Sequence, residues 1–229
     1  MERHFSVVIV FLWFCTGYSY SQSIIKPNYG LKSHETLEIS KIELTAKATV
    51  FYLSVENRIQ NGNFCADRNI FIVYPDDTRS KMISSYGIPV CPETHKFKTI
   101  GEKLDFTLTF PALKQNIEWI DLVEECSENC FSFYGITLDN ELNIRLEKIF
   151  SLASSRQPDE NISQFKSVLD SIDSRDLGIE GLLYINIINA AIENNDKVNS
   201  IVWYKRLSSS NAPRLGAYLK YLNNKGIKY

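Results

Sequence analysis

The hydrophobic period of this chain changes once, near position 138, and that change restricts the folds open to it. From Thr36 to Leu138 apolar residues recur in short runs with a period of two. Leu37-Glu38-Ile39 and Ile42-Glu43-Leu44 alternate, and Val50 to Val55 is rich in β-branched and aromatic residues. Asn69 to Tyr74 is an apolar run closed by the turn residues Pro75-Asp76-Asp77. Leu104, Phe106, Leu108 and Phe110 share one face, with Asp105, Thr107 and Thr109 on the other. Ile117 to Val123 and Phe131 to Leu138 complete seven or eight short strands with no helical pattern between them. Such a run predicts an antiparallel, immunoglobulin-like β-sandwich over residues 36–138.

From Asp139 onward the period is that of a helix. Leu142, Leu146, Ile149 and Ala153 line one face, and Pro158 with Asp159 and Glu160 suits a second helix start. Ile162, Phe165, Leu169 and Ile172 line that helix. Residues 179–193 are apolar nearly all round, as a buried central helix would be. Asp196 can cap a fourth helix, Asn211 and Pro213 open a fifth, and Gly226 suits its end. The fold class is therefore α+β in two segregated parts: the sandwich, then a small antiparallel helical domain of four or five helices over 139–229.

The first residues read as an address. Phe5 to Cys15 is apolar except for Ser6, too short for the roughly 20 residues a membrane-spanning helix needs. Ser19-Tyr20-Ser21 supplies the small residues of a signal-peptidase site. We expect a signal peptide over 1–21, cleaved after Ser21 or else after Ser23, and a lead-in over 22–35. Phe14 before Cys15 speaks against lipidation, and no later segment is apolar enough to span a membrane. Localisation would be the periplasm, the outer-membrane surface or the exterior.

Four cysteines follow the leader: Cys65, Cys91, Cys126 and Cys130. An even number in an exported chain reads as disulfides. Three pairings exist, of which Cys65–Cys91 and Cys126–Cys130 are favoured. The unequal spacings of the two nearby pairs do not match a zinc site, and no C-x-x-C redox motif is present. No metal or cofactor is expected.

Catalytic patterns are sparse. His34 and His95 are the histidines beyond the leader, and neither sits in a recognisable motif. Ser163-Gln164-Phe165-Lys166 fits S-x-x-K but lacks the companion K-T-G. The acidic pairs Asp76-Asp77 and Glu124-Glu125 read as a turn and a solvated strand end, and Asn161-Ile162-Ser163 as an accidental glycosylation triplet. No Gly-rich phosphate loop appears. No catalytic residue is assigned.

Charge is more informative. The net charge is −2, so no overall field favours nucleic acid. Yet residues 197–229 hold seven Lys/Arg and no Asp/Glu. This basic end either docks on the acidic body, meets an anionic envelope surface, or binds an acidic protein partner. Lys205, Arg206, Arg214 and Lys220 are its candidate partner-binding residues.

Two resemblances add expectations. The segments Thr36-Leu37-Glu38-Ile39, Thr49-Val50-Phe51-Tyr52, Phe106 to Leu113, Trp119 to Glu124 and Phe133-Tyr134-Gly135-Ile136 carry the first. With them, residues 33–138 resemble a domain of uncharacterised secreted Bacteroidetes proteins. That resemblance implies an immunoglobulin-like sandwich in the cell envelope, with no activity to transfer. Leu183 to Asn211 resembles a single tetratricopeptide-type helix pair. The expected function is a non-catalytic binding or assembly module of the envelope. The alternative is an envelope or extracellular hydrolase with its site between the two parts.

Overall fold

The computed structural model describes residues 21–172 and 175–229. Residues 1–20, all but the last residue of the expected signal peptide, lie outside the described residues. Along the chain the strands are β1 (Ser21–Ile25), β2 (Leu31–Lys32), β3 (Leu37–Thr45), β4 (Ala48–Glu56), β5 (Asn63–Phe64) and β6 (Ile70–Val73). Next come β7 (Arg79–Lys81), β8 (Ser84–Tyr86), β9 (His95–Lys96), β10 (Lys103–Pro111), β11 (Trp119–Glu124) and β12 (Ser132–Thr137). The helices follow: α1 (Asn140–Ala153), α2 (Pro158–Ile172), α3 (Glu180–Glu193), α4 (Lys197–Ser208) and α5 (Leu215–Asn224).

Two five-stranded antiparallel sheets form the first part, ordered β1-β3-β4-β10-β8 and β2-β12-β11-β6-β7, with β5 and β9 as a separate antiparallel pair. The cores β3-β4-β10-β8 and β7-β6-β11-β12 reproduce the A-B-E-D and C′-C-F-G order of an immunoglobulin-like sandwich. Strands β1 and β2 extend one edge of each sheet, so the segment read as a lead-in contributes to both. Alternation explains the packing. Thr49, Phe51, Leu53 and Val55 of β4 and Phe106, Leu108 and Phe110 of β10 turn inward, with the Phe51 and Phe110 rings edge to face at 5.6 Å. They meet Ile70 and Ile72 of β6, Ile120 and Leu122 of β11 and Phe133 of β12 in one core. Within β3 a register shift between Ile39 and Lys41 joins two alternating runs into one strand.

The helices form a second core. Asp139 caps α1 by accepting from the Leu142 N–H at 3.0 Å, and Asp196 caps α4 through the Asn199 N–H at 3.0 Å. Central α3 buries Leu183, Ile185, Ile187, Ile188, Ala190 and Ala191. Helix α5 ends as expected, with Gly226 at φ 79° and the Ile227 N–H bonded to the Leu222 carbonyl at 3.0 Å. Its start differs from expectation. It begins at Leu215, because Arg214 adopts a left-handed backbone, φ 57°, that no helical residue takes. No described helix is long and apolar enough to cross a membrane.

Candidate functional site

The junction between sandwich and helices is built on β11 and β12. Ile120 and Leu122 point into the sandwich core, which sends Trp119 and Asp121 to the opposite face, toward the helices. Two steps along β11, Ile120 to Leu122, match three along β12, Ile136 to Phe133. This bulge contains Gly135 at φ 64°. It lets Phe133 and Ile136 both reach the core, and it aims the Gly135 N–H at Asp121 Oδ1, 2.7 Å away.

Asp121 is 1% exposed. Its Oδ2 accepts from Arg214 Nε at 2.7 Å, while Arg214 Nη1 donates to Asp77 Oδ1 at 2.9 Å. The Arg214 guanidinium also lies 5.7 Å from the Trp119 ring centroid. Burial pushes the Asp121 carboxyl above its ordinary range, and the Gly135 N–H and Arg214 oppose that rise. A Cβ on Gly178 would stand 2.6 Å from Trp119 Cγ, and one on Gly135 would overlap the Gly178 carbonyl. Tyr218 is buried against Gly30 and Gly181, and its hydroxyl has no hydrogen-bond partner among the described residues. Asn143 of α1 accepts from the Asn28 backbone N–H at 2.6 Å, and Arg175 reaches Glu118 and Asp139, both at 3.2 Å.

Beside this junction opens a cleft of about 620 Å³ among the helices. Leu169 and Ile172 of α2 and Ala212 of the α4–α5 loop give it an apolar floor. Arg175, Asp176, Glu180, Tyr184 and Arg206 supply its polar lining, with Ser209 and Asn211 at the rim. Burial raises the carboxyls of both Asp176 and Glu180, and hydrogen bonds only partly offset the rise. Those bonds come from Trp119 and the Gly178 N–H to Asp176, and from the Leu177 N–H to Glu180 Oε1 at 2.9 Å. Glu180 Oε2 is buried with no partner among the described residues.

The expected residues fall in different places. Cys65 pairs with Cys91 and Cys126 with Cys130. No group of three or more potential metal ligands occurs among the described residues. Lys205, Arg206 and Lys220 are exposed, and Arg206 stacks 4.5 Å over the Trp203 ring. Arg214 does not join them on the open surface, because the buried carboxylate of Asp121 holds its guanidinium inside the junction. Glu124 is not a solvated strand end. It is 6% exposed and accepts from the Asp67 N–H at 2.7 Å and the Phe131 N–H at 3.1 Å, while exposed Glu125 pairs with Arg79 at 2.5 Å.

Neither histidine lines the cleft. His34 packs edge-on to Phe64 at 5.3 Å, and burial followed by Lys32 lowers its pKa. His95 packs against Phe97, its Nε2 3.4 Å from Glu102 Oε1. Ser163 donates to the Asp159 carbonyl at 3.0 Å and Lys166 pairs with Asp170 at 2.7 Å, so the S-x-x-K residues serve the helix separately. Asn161 is buried and donates to the Ala153 carbonyl at 2.8 Å.

Sequence reasoning missed the junction and the cleft. The available signals were an aspartate between two core residues of a strand, and a glycine inside the last strand. No family model matches this chain, and no curated protein matches it.

Proposed function

We propose that the protein is an exported, non-catalytic binding or assembly module of the bacterial cell envelope, and that the basic surface of α4, α5 and the following residues meets an acidic partner. One observation carries this reading. Of the seven cations in residues 197–229, Arg214 is the one with a carboxylate within 4.0 Å among the described residues. The acidic body therefore takes up one charge, and Lys205, Arg206 and Lys220 stay on the surface. An uncompensated patch of one sign steers and orients an oppositely charged partner. The two disulfides fit export to an oxidising compartment.

The test is retention of envelope components on immobilised mature protein and on a K205Q/K220Q/K228Q variant that leaves Arg206 and Arg214 in place. A partner held by the first at about 50 mM salt, lost at about 0.5 M and lost by the variant supports the reading, since screening removes such contacts. Equal, salt-insensitive retention by both proteins, or retention by neither, overturns it. Vesicles of anionic phospholipid form a parallel arm, and binding to lipid alone would replace the protein partner with a membrane surface.

A further inference from the structure

The cleft beside the junction contains opposite charges that do not pair with each other. Arg175 is engaged by Glu118 and Asp139, so its charge is already matched. Arg206 lines the same cavity as Asp176 and Glu180, yet has no carboxylate within 4.0 Å among the described residues. Its guanidinium is held on the Trp203 face, 4.5 Å from the ring, which limits its freedom to swing across. In the same lining Glu180 has one oxygen engaged by the Leu177 N–H and a second, buried oxygen without a partner among the described residues. Asp176 stands four positions earlier, at the same wall.

Unlike charges that line one cavity without neutralising each other leave two half-sites. A ligand with both charges fills both at once. We propose that this cleft binds a small amphoteric ligand, an amino acid or short peptide, with its ammonium on Asp176 and Glu180 and its carboxylate on Arg206. Arginine suits the second role because its planar fork matches a carboxylate bidentately. The apolar floor of Leu169, Ile172 and Ala212 takes a hydrocarbon side chain. About 620 Å³ lies within the range of small-molecule sites and exceeds what a single ion requires. The charge of an arriving ammonium would offset the desolvation that raises both carboxyls.

The test uses isothermal titration calorimetry on the mature full chain with four probes: leucine, leucyl-alanine, N-acetyl-leucyl-alanine and leucyl-alanine amide. Leucine or leucyl-alanine should bind, and blocking either terminus of the dipeptide should weaken it by about tenfold or more, as loss of a charged hydrogen bond does. E180Q keeps an amide oxygen for the Leu177 N–H, so the start of α3 is preserved. It should narrow the discrimination between free and acetylated amine severalfold, Asp176 remaining in place. R206Q changes an exposed residue and should bind the free acid and the amide alike. Circular dichroism checks that both variants fold. Absence of binding by leucine and leucyl-alanine at millimolar concentration overturns the proposal, as does equal binding of the blocked peptides to the unmodified protein. Arg206 is untouched in the variant that tests the basic surface, so the two readings fail separately.

Discussion

Replacing Arg214 with Met removes the guanidinium and keeps most of the side chain's length. Among the described residues Asp121, 1% exposed, then keeps one hydrogen-bond donor, the Gly135 N–H at 2.7 Å. Breaking a buried ion pair from one side costs roughly 3–5 kcal/mol, because the remaining charge is left uncompensated. The Arg214 side chain is 27% exposed, so water can partly replace it, and we expect a loss below that range, about 2–3 kcal/mol at pH 8. The carboxylate has an escape through protonation. Burial already raises Asp121 and Arg214 opposes that rise, so losing the cation raises it further. A carboxyl with a folded-state pKa above its unfolded value holds a proton that the unfolded chain has released. Stability then falls as pH rises through that window, by up to about 1.4 kcal/mol per unit. Most of the loss should therefore vanish at pH 5. Urea denaturation at pH 5 and pH 8, followed by circular dichroism and tryptophan fluorescence, reads both numbers. The double variant D121N/R214M removes the stranded charge and should lie within about 1 kcal/mol of the parent at pH 8. A loss below about 1 kcal/mol at pH 8, or the same loss at both pH values, would refute the reasoning and make the pair an ordinary surface contact.

Other outcomes follow from the same packing. Gly135 and Gly101 both have positive φ, 64° and 86°, but a Cβ meets the Gly178 carbonyl only at the first. G135A should cost at least about 2 kcal/mol in chemical denaturation and G101A about 1, and equal losses would show that the junction yields without strain. Wild-type stability should rise as pH falls from 7 to about 5, because the raised carboxyls of Asp121, Glu124, Asp176 and Glu180 outnumber the one opposing group, His34, whose lowered pKa costs stability as it protonates. Below about pH 4 it should fall, as the lowered carboxyls of Glu43, Glu102, Asp196 and Asp76 (about 2) become protonated. Melting temperatures that climb steadily from pH 5 to 8 would contradict this sign. Non-reduced mature protein should show no titratable thiol, and two or four would remove one or both disulfides. The loops they close differ, with separations of 26 and 4. On chain entropy, C65A/C91A should cost about 3.5 kcal/mol and C126A/C130A about 2, so the reverse order in urea midpoints would contradict the entropic argument.

What the chain says about its own architecture is local. The alternation of Leu104 to Phe110, the Leu142–Leu146–Ile149 stripe, the Asp139 and Asp196 caps and the Gly226 terminus were legible, because each element's period is set by which of its own residues leave water. Even the disulfides could be ordered by spacing once export was assumed. The sandwich edges were not legible. Strands β1 and β2 at those edges, and the separate pair β5–β9, take their hydrogen bonds from partners elsewhere in the chain, so their own pattern is weak. Glu124 looked like a strand end open to water because nothing nearby in sequence reveals the Asp67 and Phe131 N–H groups that bury it.

Arg214 shows the division most clearly. By itself the sequence determined a basic C-terminal segment, and it determined that this segment would be helical. Which cations remain on the surface was decided by tertiary structure. Asp121 lies 93 positions away, and Gly135 shifts the register of β12 so that one N–H meets that carboxylate. The same long-range packing brings Asp176, Glu180 and Arg206 around one cleft. A side chain's period depends on its neighbours along the chain, whereas the fate of its charge depends on what the fold places opposite it.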